Sequence, residues 1–278
     1  MSKKLIISNL LIVMLLILAQ TVHATKRALV IGIGQQEDRR WEKISGDKDV
    51  PYVMEMLKKA GYQDIRTLIN QQATKVAIVS AFKSLANSCH TGDMVYIHFS
   101  GHGQQMTDVN GDEGKDGLDE AWIPYDAYIR YSKNYHGENH LVDDEVSVLL
   151  TNIRKHIGNS GKMLVVVDAC HSGDSDRGSG EIVRGTGDVF RIPVKQRGHA
   201  KKSQAQWLML SACKDKQVNF EMKNLRVGKL TYALYSLAGK GLTMKKIADF
   251  MERNRISIPQ TPELTGDKSK YNISEFFK

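Results

Sequence analysis

The stretch KMLVVVDACHSG (residues 162–173) contains an unbroken apolar run and ends in polar and reactive residues. A short apolar run without alternation is typical of a strand that is buried on both faces of a parallel sheet. In open parallel sheets, ligands bind beyond the carboxyl ends of the strands. We therefore expect Cys170, which follows the run, to lie at the edge of the sheet where a ligand would bind.

Strand-like and helix-like patterns alternate along the rest of the chain. Further strands are expected at residues 27–34, 65–69, 93–99 and 206–210, and helices at 50–57, 74–86, 143–157, 229–237 and 243–254. This alternation predicts an α/β fold with a mainly parallel central sheet.

A second strand also ends in a reactive residue, because the strand predicted at 93–99 is followed by SGHG (100–103). If the two strands are neighbours, His102 and Cys170 face each other at the same edge. An imidazole beside a thiol helps to form the thiolate and can later protonate a leaving amine. The adjacent glycines let backbone amides approach a developing oxyanion, and we assign that role to the amides of Gly103 and Cys170.

Other interpretations of these residues remain open. A cysteine that ends an apolar strand is most often a small buried residue. Cys170, His102 and His171 could bind zinc, although no convincing fourth ligand accompanies them. We interpret His98 as a structural histidine and Cys213 as a packed thiol. The chain has three cysteines, so at least one thiol has no disulfide partner within the chain.

The two motifs resemble the catalytic histidine and cysteine blocks of metacaspases and related bacterial caspase-like peptidases. Other matching blocks follow in the same order: GDKDV (46–50), NGDE (110–113), DGLDE (116–120), DDE (143–145) and SACKDKQ (211–217). The resemblance covers roughly residues 26–266. It implies a caspase-like three-layer α/β/α sandwich and a cysteine endopeptidase with His102 as base and Cys170 as nucleophile.

The substrate preference follows from Asp168, which stands where the caspase signature has glutamine. A carboxylate there would repel an acidic side chain and attract Arg or Lys at P1, the residue on the amino side of the cleaved bond. The resemblance implies that Asp168, Asp49 and Ser100 line the P1-binding pocket, with Asp47 as the alternative to Asp49. A strand-end or helix-capping carboxylate is the alternative for Asp168. The expected partners are peptides or proteins with Arg or Lys at P1.

The proposed chemistry requires no cofactor, but the resemblance implies a calcium site. Its acids would be Asp119, Asp143 and Asp144, and carboxylate-rich loops suit this hard cation. The same acids could equally be solvated loop charges or charges that stabilise a helix N-terminus.

Residues 178–205 lack the period of a helix or a strand and are rich in glycine and basic residues. This basic loop divides one peptidase domain, residues 25–278, into a large portion (about 25–177) and a small portion (about 206–278). Caspase-like chains are often cut between such portions, and an enzyme that prefers basic residues could cut its own chain there. The candidates for self-cleavage are Arg184, Arg191, Lys195, Arg197, Lys201 and Lys202. A surface loop that stays intact is the alternative.

Residues 1–24 have the pattern of a secretory signal peptide, with two lysines, an apolar run and a small-residue exit. The run is short for a hydrocarbon core of about 30 Å. We therefore expect export to the periplasm or the extracellular medium, without stable membrane insertion after signal removal. The formal net charge is +8, and loss of Lys3 and Lys4 would reduce it by two. A basic chain could bind nucleic acid, but no readout motif is present and no such partner is expected.

Two other functional classes remain open. One is a catalytically silent caspase-like scaffold protein, which the presence of both His102 and Cys170 argues against. The other is a cysteine peptidase of the clostripain type, which the long acidic loop at 108–120 disfavours.

Overall fold

The structure is a computed structural model of the 278-residue chain. It describes residues 24–111, 117–170, 182–193, 205–214, 217–222, 224–255 and 258–278. The predicted signal peptide, apart from its last residue, lies outside these ranges. Within them, no helix combines the length and the apolar character that crossing a bilayer requires.

The secondary structure of the described residues alternates between strands and helices. The strands are β1 (Lys26–Gly32), β2 (Asp64–Ile69), β3 (Met94–Ser100), β4 (Gly103–Thr107), β5 (Leu118–Trp122), β6 (Leu141–Val142), β7 (Lys162–Asp168), β8 (Leu208–Ser211), β9 (Glu221–Met222), β10 (Val227–Gly228) and β11 (Glu263–Gly266). The helices are α1 (Gly46–Lys59), α2 (Lys75–Ser88), α3 (Asp143–Ile157), α4 (Lys229–Leu237) and α5 (Met244–Arg253).

Six of these strands form the central sheet, in the order β11-β8-β7-β3-β1-β2. Neighbouring strands are parallel except for β11 and β8. Side chains of β1 alternate between two apolar cores: Ala28 and Val30 pack with α1, α4 and α5, whereas Leu29 and Ile31 pack with α2 and α3. The predicted α/β sandwich with a mainly parallel sheet is therefore confirmed.

Two predicted helices, 143–157 and 229–237, have the bounds of α3 and α4. Thr74 accepts a hydrogen bond from the Ala77 amide and caps α2, as its position predicts. The helix predicted at 50–57 begins four residues earlier, at Gly46. This extension places Asp49 inside the first turn of α1.

A second sheet, with strand order β4-β5-β6, lies outside the predicted elements. GQQMT is short and mostly polar, and two adjacent acids interrupt LDEAW, so neither strand has the apolar run or the alternation that predicts a strand. This sheet begins at Gly103, directly after His102.

The small portion of the domain joins the same central sheet as the large portion. β8 pairs in parallel with β7, with Leu164 opposite Leu208 and Val167 opposite Ser211. The basic loop therefore connects two adjacent strands.

Candidate active site

His102 and Cys170 lie at the same carboxyl edge of the central sheet. β3 and β7 are adjacent and parallel, with Ser100 opposite Asp168. Each reactive residue follows the paired residue on its own strand by two positions. The Gly101 amide donates to the Asp168 carbonyl at 3.4 Å, which joins the two strand ends. His102 and Cys170 are each only 1% exposed, so the intact chain covers both reactive groups.

The hydrogen bonds of His102 fix which ring nitrogen can act as a base. Nε2 lies 2.8 Å from the carbonyl oxygen of Glu42. A carbonyl only accepts, so Nε2 carries the hydrogen and Nδ1 keeps its lone pair. Nδ1 has no hydrogen-bond partner among the described residues. Burial lowers the pKa of His102 to about 4, and Trp41 stacks on its ring. His102 is therefore a neutral imidazole at neutral pH.

The amide and the thiol of Cys170 bind different carbonyl groups. The amide donates to the carbonyl oxygen of Arg184 at 2.7 Å, and the thiol donates to that of Gln217 at 2.9 Å. Gly185 lies directly against Cys170, because an added Cβ would come within 2.3 Å of the Cys170 carbonyl oxygen. The Arg184–Gly185 peptide bond therefore lies beside Cys170, the nucleophile candidate. The carbonyl oxygen of this bond accepts from the Cys170 amide, which the sequence predicts to bind the oxyanion.

The side chain of Arg184 fills a buried pocket of three carboxylates, Asp49, Asp168 and Glu221, which we call the acid pocket. Asp49 binds the guanidinium through both oxygens, with Nη1 to Oδ2 at 2.5 Å and Nη2 to Oδ1 at 3.1 Å. Nη1 also lies 3.6 Å from Oδ1 of Asp168. Nε donates to Oε1 of Glu221 at 3.1 Å. Arg184, Asp49 and Asp168 are 0% exposed.

The charges in the acid pocket stabilise one another. Burial alone would raise the pKa of Asp168, but the charge of Arg184 and hydrogen bonds from Thr231 and Asn219 lower it overall. Burial also opposes the charge of Arg184, yet the nearby carboxylates raise its pKa above the usual value. Three acids thus surround one cation, and a buried carboxylate is costly unless it is paired. The pocket is a site for a cation.

The N-terminus of α4 holds two of these carboxylates in place. The Thr231 amide donates to Oδ2 of Asp168 at 2.8 Å, and the Gly228 amide donates to Oδ1 of Asp49 at 2.9 Å. The helix dipole favours negative charge at this end. A Cβ at Gly228 would lie 2.2 Å from Oδ2 of Asp168 and 2.5 Å from Nη1 of Arg184. Only glycine leaves room for the guanidinium there.

Ser100 contacts the acid pocket through Asp49 and not through the guanidinium. Its hydroxyl donates to Oδ2 of Asp49 at 2.7 Å. His98 lies behind it, with Nε2 2.9 Å from the Ser100 hydroxyl and Nδ1 3.0 Å from that of Tyr96. Burial lowers the pKa of His98 to about 4. His98 is a fully bonded, neutral histidine, as expected for a structural role.

The backbone before Arg184 pairs with the chain after β8 as an additional strand. The Arg184 amide donates to the Asn219 carbonyl at 2.9 Å, and the Glu221 amide donates to the Ile182 carbonyl at 3.1 Å. Val183 forms an antiparallel bridge with Phe220. This arrangement matches the way in which an extended peptide adds a strand to an exposed edge.

The remaining predicted residues lie partly beside the acid pocket and partly outside the described residues. Asp47 contacts Asn70, whereas Asp49 binds Arg184, so Asp49 is the acid of this block in the acid pocket. Asp168 also accepts the Thr231 amide at the N-terminus of α4. It therefore caps this helix and is at the same time part of the acid pocket. Arg191 is exposed. His171, Lys195, Arg197, Lys201 and Lys202 lie outside the described residues.

The predicted calcium ligands lie close in the fold but form no metal site among the described residues. Asp119 is on β5, and Asp143 and Asp144 open α3 directly after β6, which pairs with β5. Asn110 donates to the Asp144 carboxylate. No three His, Cys, Asp or Glu side chains of the described ranges converge in a way that could hold a metal. Residues 112–116 of the acidic loop lie outside the described residues, and calcium binding stays a prediction.

Several residues of the site are absent from the sequence analysis. Glu221, Asn219 and Thr231 come from the segment after β8, and Trp41 comes from the loop before α1. None belongs to a motif or stands at the end of a predicted strand. Two signals could have pointed to them: the alternation of polar and apolar residues at 217–221, and the predicted start of α4 at residue 229, because a helix N-terminus favours carboxylate partners.

Known proteins of one family are similar to this chain in sequence. A family model of the metacaspase, peptidase C14 domain matches residues 26–175. Metacaspase-2 of Arabidopsis thaliana is 31% identical over 162 residues, which are 55% of this chain and 35% of that protein. Metacaspase-1B of Aspergillus fumigatus is 32% identical over 161 residues, 53% of this chain and 35% of that protein. The chain thus spans about a third of the length of these curated relatives.

Solved structures show the same fold at lower identity. A crystal structure of a protein from Geobacter sulfurreducens superimposes with a TM-score of 0.64 at 23% identity, covering 90% of this chain and 98% of that one. Caspase-1 from Spodoptera frugiperda gives a TM-score of 0.57 at 13% identity, covering 87% and 86%. The family match spans more than half of the 278 residues, and the chain belongs to the metacaspase peptidase C14 family.

Proposed function

We propose that this chain is an exported cysteine endopeptidase that cuts peptide bonds after Arg or Lys, with Cys170 as nucleophile and His102 as base. One observation carries the proposal: a basic side chain fills the acid pocket while its own carbonyl binds the Cys170 amide. A substrate residue at P1 would need both contacts at once. Export is supported by the signal-peptide pattern of residues 1–24.

The geometry supports a two-step acyl transfer. In the first step the Cys170 thiol must leave the Gln217 carbonyl and turn to Nδ1 of His102, which takes its proton. The Cys170 thiolate then attacks the carbonyl carbon of the P1 residue. The Cys170 amide stabilises the oxyanion, together with the Gly103 amide that the sequence predicts for this role. The protonated His102 then gives its proton to the leaving amine, and a thioester remains. Water, deprotonated by His102, hydrolyses the thioester and releases the new carboxylate.

A panel of peptides that differ only at P1 tests the basic preference. We expect kcat/KM for Arg and Lys to exceed that for Asp or Leu by at least about 30-fold, since a buried charge that is left without its partner costs about 2–5 kcal/mol. The control is the same panel with Cys170→Ala. Faster cleavage after Asp than after Arg would contradict the proposal. Absence of any cleavage that depends on Cys170 would favour the scaffold function, which the closed site also permits.

We also propose that the chain cuts itself, and among the described candidates Arg184 is favoured over Arg191. Arg184 is in the acid pocket and next to Cys170, whereas Arg191 is exposed. Mass spectrometry of the purified wild type is expected to give fragments that end at Arg184 and begin at Gly185. Cys170→Ala and Arg184→Gln should lack these fragments, and the matched variant Arg191→Gln should keep them. Equal cutting in the wild type and Cys170→Ala would exclude self-processing.

A further inference from the structure

We propose that Glu221 selects arginine over lysine at P1, and that the same strand accepts an aliphatic residue at P2, the position before P1. The proposal rests on the peptidase function proposed above and names the preferred substrate: an extended peptide with an aliphatic residue followed by arginine.

Glu221 and Asp49 bind different edges of the guanidinium of Arg184. Asp49 binds the edge formed by Nη1 and Nη2. Glu221 binds the other edge, with Oε1 3.1 Å from both Nε and Nη2. A planar guanidinium has donors in both directions, whereas an ammonium is a single point charge. A lysine ammonium at the position of Nη2 could contact both Asp49 and Glu221, but it would lose the second contact to each acid, Nη1 to Asp49 and Nε to Glu221.

Glu221 depends on this contact because it is buried, with an exposed fraction of 2%. Oε1 also accepts the Ser45 amide at 2.5 Å. Oε2 has no hydrogen-bond partner within the described parts of the chain. A carboxylate that loses its charged partner in such a place keeps its desolvation penalty without compensation. A complex with lysine keeps at most one of the two contacts to Glu221 and so bears part of this penalty, whereas a complex with arginine avoids it.

The P2 preference follows from the side chain before Arg184. Alternate residues of an extended strand point to opposite sides, so Val183 points away from the acid pocket. Val183, Val218 and Phe220 form a small buried apolar cluster. Because Val218 and Phe220 are on the strand that pairs with residues 182–184, they would contact P2 in any peptide bound in this register.

The test uses four peptides with Val-Arg, Val-Lys, Gly-Arg or Asp-Arg at P2 and P1, assayed with the mature full chain. We expect kcat/KM for Val-Arg to exceed that for Val-Lys by roughly 10- to 100-fold, as one or two hydrogen bonds between charged groups predict. Glu221→Gln should lower this ratio by about tenfold, mostly through slower cleavage after Arg. The exposed Glu252→Gln on α5 is the matched control and should keep the wild-type ratio.

The P2 preference is tested with the same peptides. Gly-Arg and Asp-Arg should be cut at least about 5-fold more slowly than Val-Arg, since P2 loses buried apolar area.

The outcomes separate this inference from the proposed function. Cleavage after Arg and Lys at rates within twofold of each other in the wild type would overturn the role of Glu221 and leave the peptidase intact. If Glu221→Gln had the same ratio of Val-Arg to Val-Lys cleavage as the wild type, the role of Glu221 would also be overturned and the peptidase function would stand. If circular dichroism shows that Glu221→Gln is unfolded, the wild-type ratio and the rate of self-cleavage in Arg184→Lys decide instead, and we expect slower self-cleavage. Failure to cut any of the four peptides would remove the peptidase function and this inference together.

Discussion

Replacing Cys170 with alanine is expected to lower kcat/KM for an arginine peptide by at least about 10,000-fold, since the covalent route is lost. The fold should survive, because the substitution removes one buried sulfur and leaves the amide that binds the Arg184 carbonyl. His102→Ala should cost roughly 100- to 10,000-fold, the usual contribution of a general base. Both values are measured on purified variants whose thermal unfolding matches that of the wild type.

Cys89→Ala is the matched control for the nucleophile. Cys89 is also buried, and burial raises the pKa of its thiol to about 11. It follows the C-terminal end of α2, away from the carboxyl edge that carries His102. We expect full activity in this variant. If activity persisted in Cys170→Ala, or disappeared in Cys89→Ala, the assignment of Cys170 as nucleophile would be wrong.

Asp168→Asn is expected to reduce cleavage after Arg by roughly 30- to 5,000-fold, because removal of one member of a buried charge pair costs about 2–5 kcal/mol. Asparagine keeps the size and can still accept the Thr231 amide, so the loss reports charge more than shape. The measurement is kcat/KM for Arg and for an uncharged P1 residue. The ratio of the two should fall.

Asp47→Asn is the control for this second change. Asp47 is two residues from Asp49 on α1 but contacts Asn70. The Asp47→Asn variant should therefore have the same preference for Arg at P1 as the wild type. If Asp47→Asn abolished the preference and Asp168→Asn did not, the assignment of the acid pocket would be wrong.

The sequence was informative where a residue stands at a fixed offset from a strongly apolar strand. β3 and β7 are continuous apolar runs, so their ends, and with them His102 and Cys170, could be located from pattern alone. Asp168 was found in the same way, because it ends β7. Asp49 needed the family resemblance, since the apolar spacing of α1 begins only at Val50, after the polar first turn.

The rest of the site depends on contacts between distant parts of the chain. The Ser45 amide and the Glu221 carboxylate are 176 positions apart, and no periodicity connects them. The segment from Gln217 to Glu221 alternates polar and apolar residues as a strand does, but this pattern does not show that it pairs with residues 182–184. The presence of Arg184 in the acid pocket could not be predicted from local residue order, whereas burial of Cys170 was the alternative that its place at the end of an apolar strand indicated.

The pairing of β7 with β8 determines what a break at Arg184–Gly185 would do to the molecule. The break lies between two strands that remain joined side by side from Leu164 to Val167. Leu164, Leu210 and Leu230 also belong to one apolar core. A nicked chain would therefore stay a single particle: two new termini could leave the catalytic edge, while the hydrogen bonds and the core that unite the fragments remain in place.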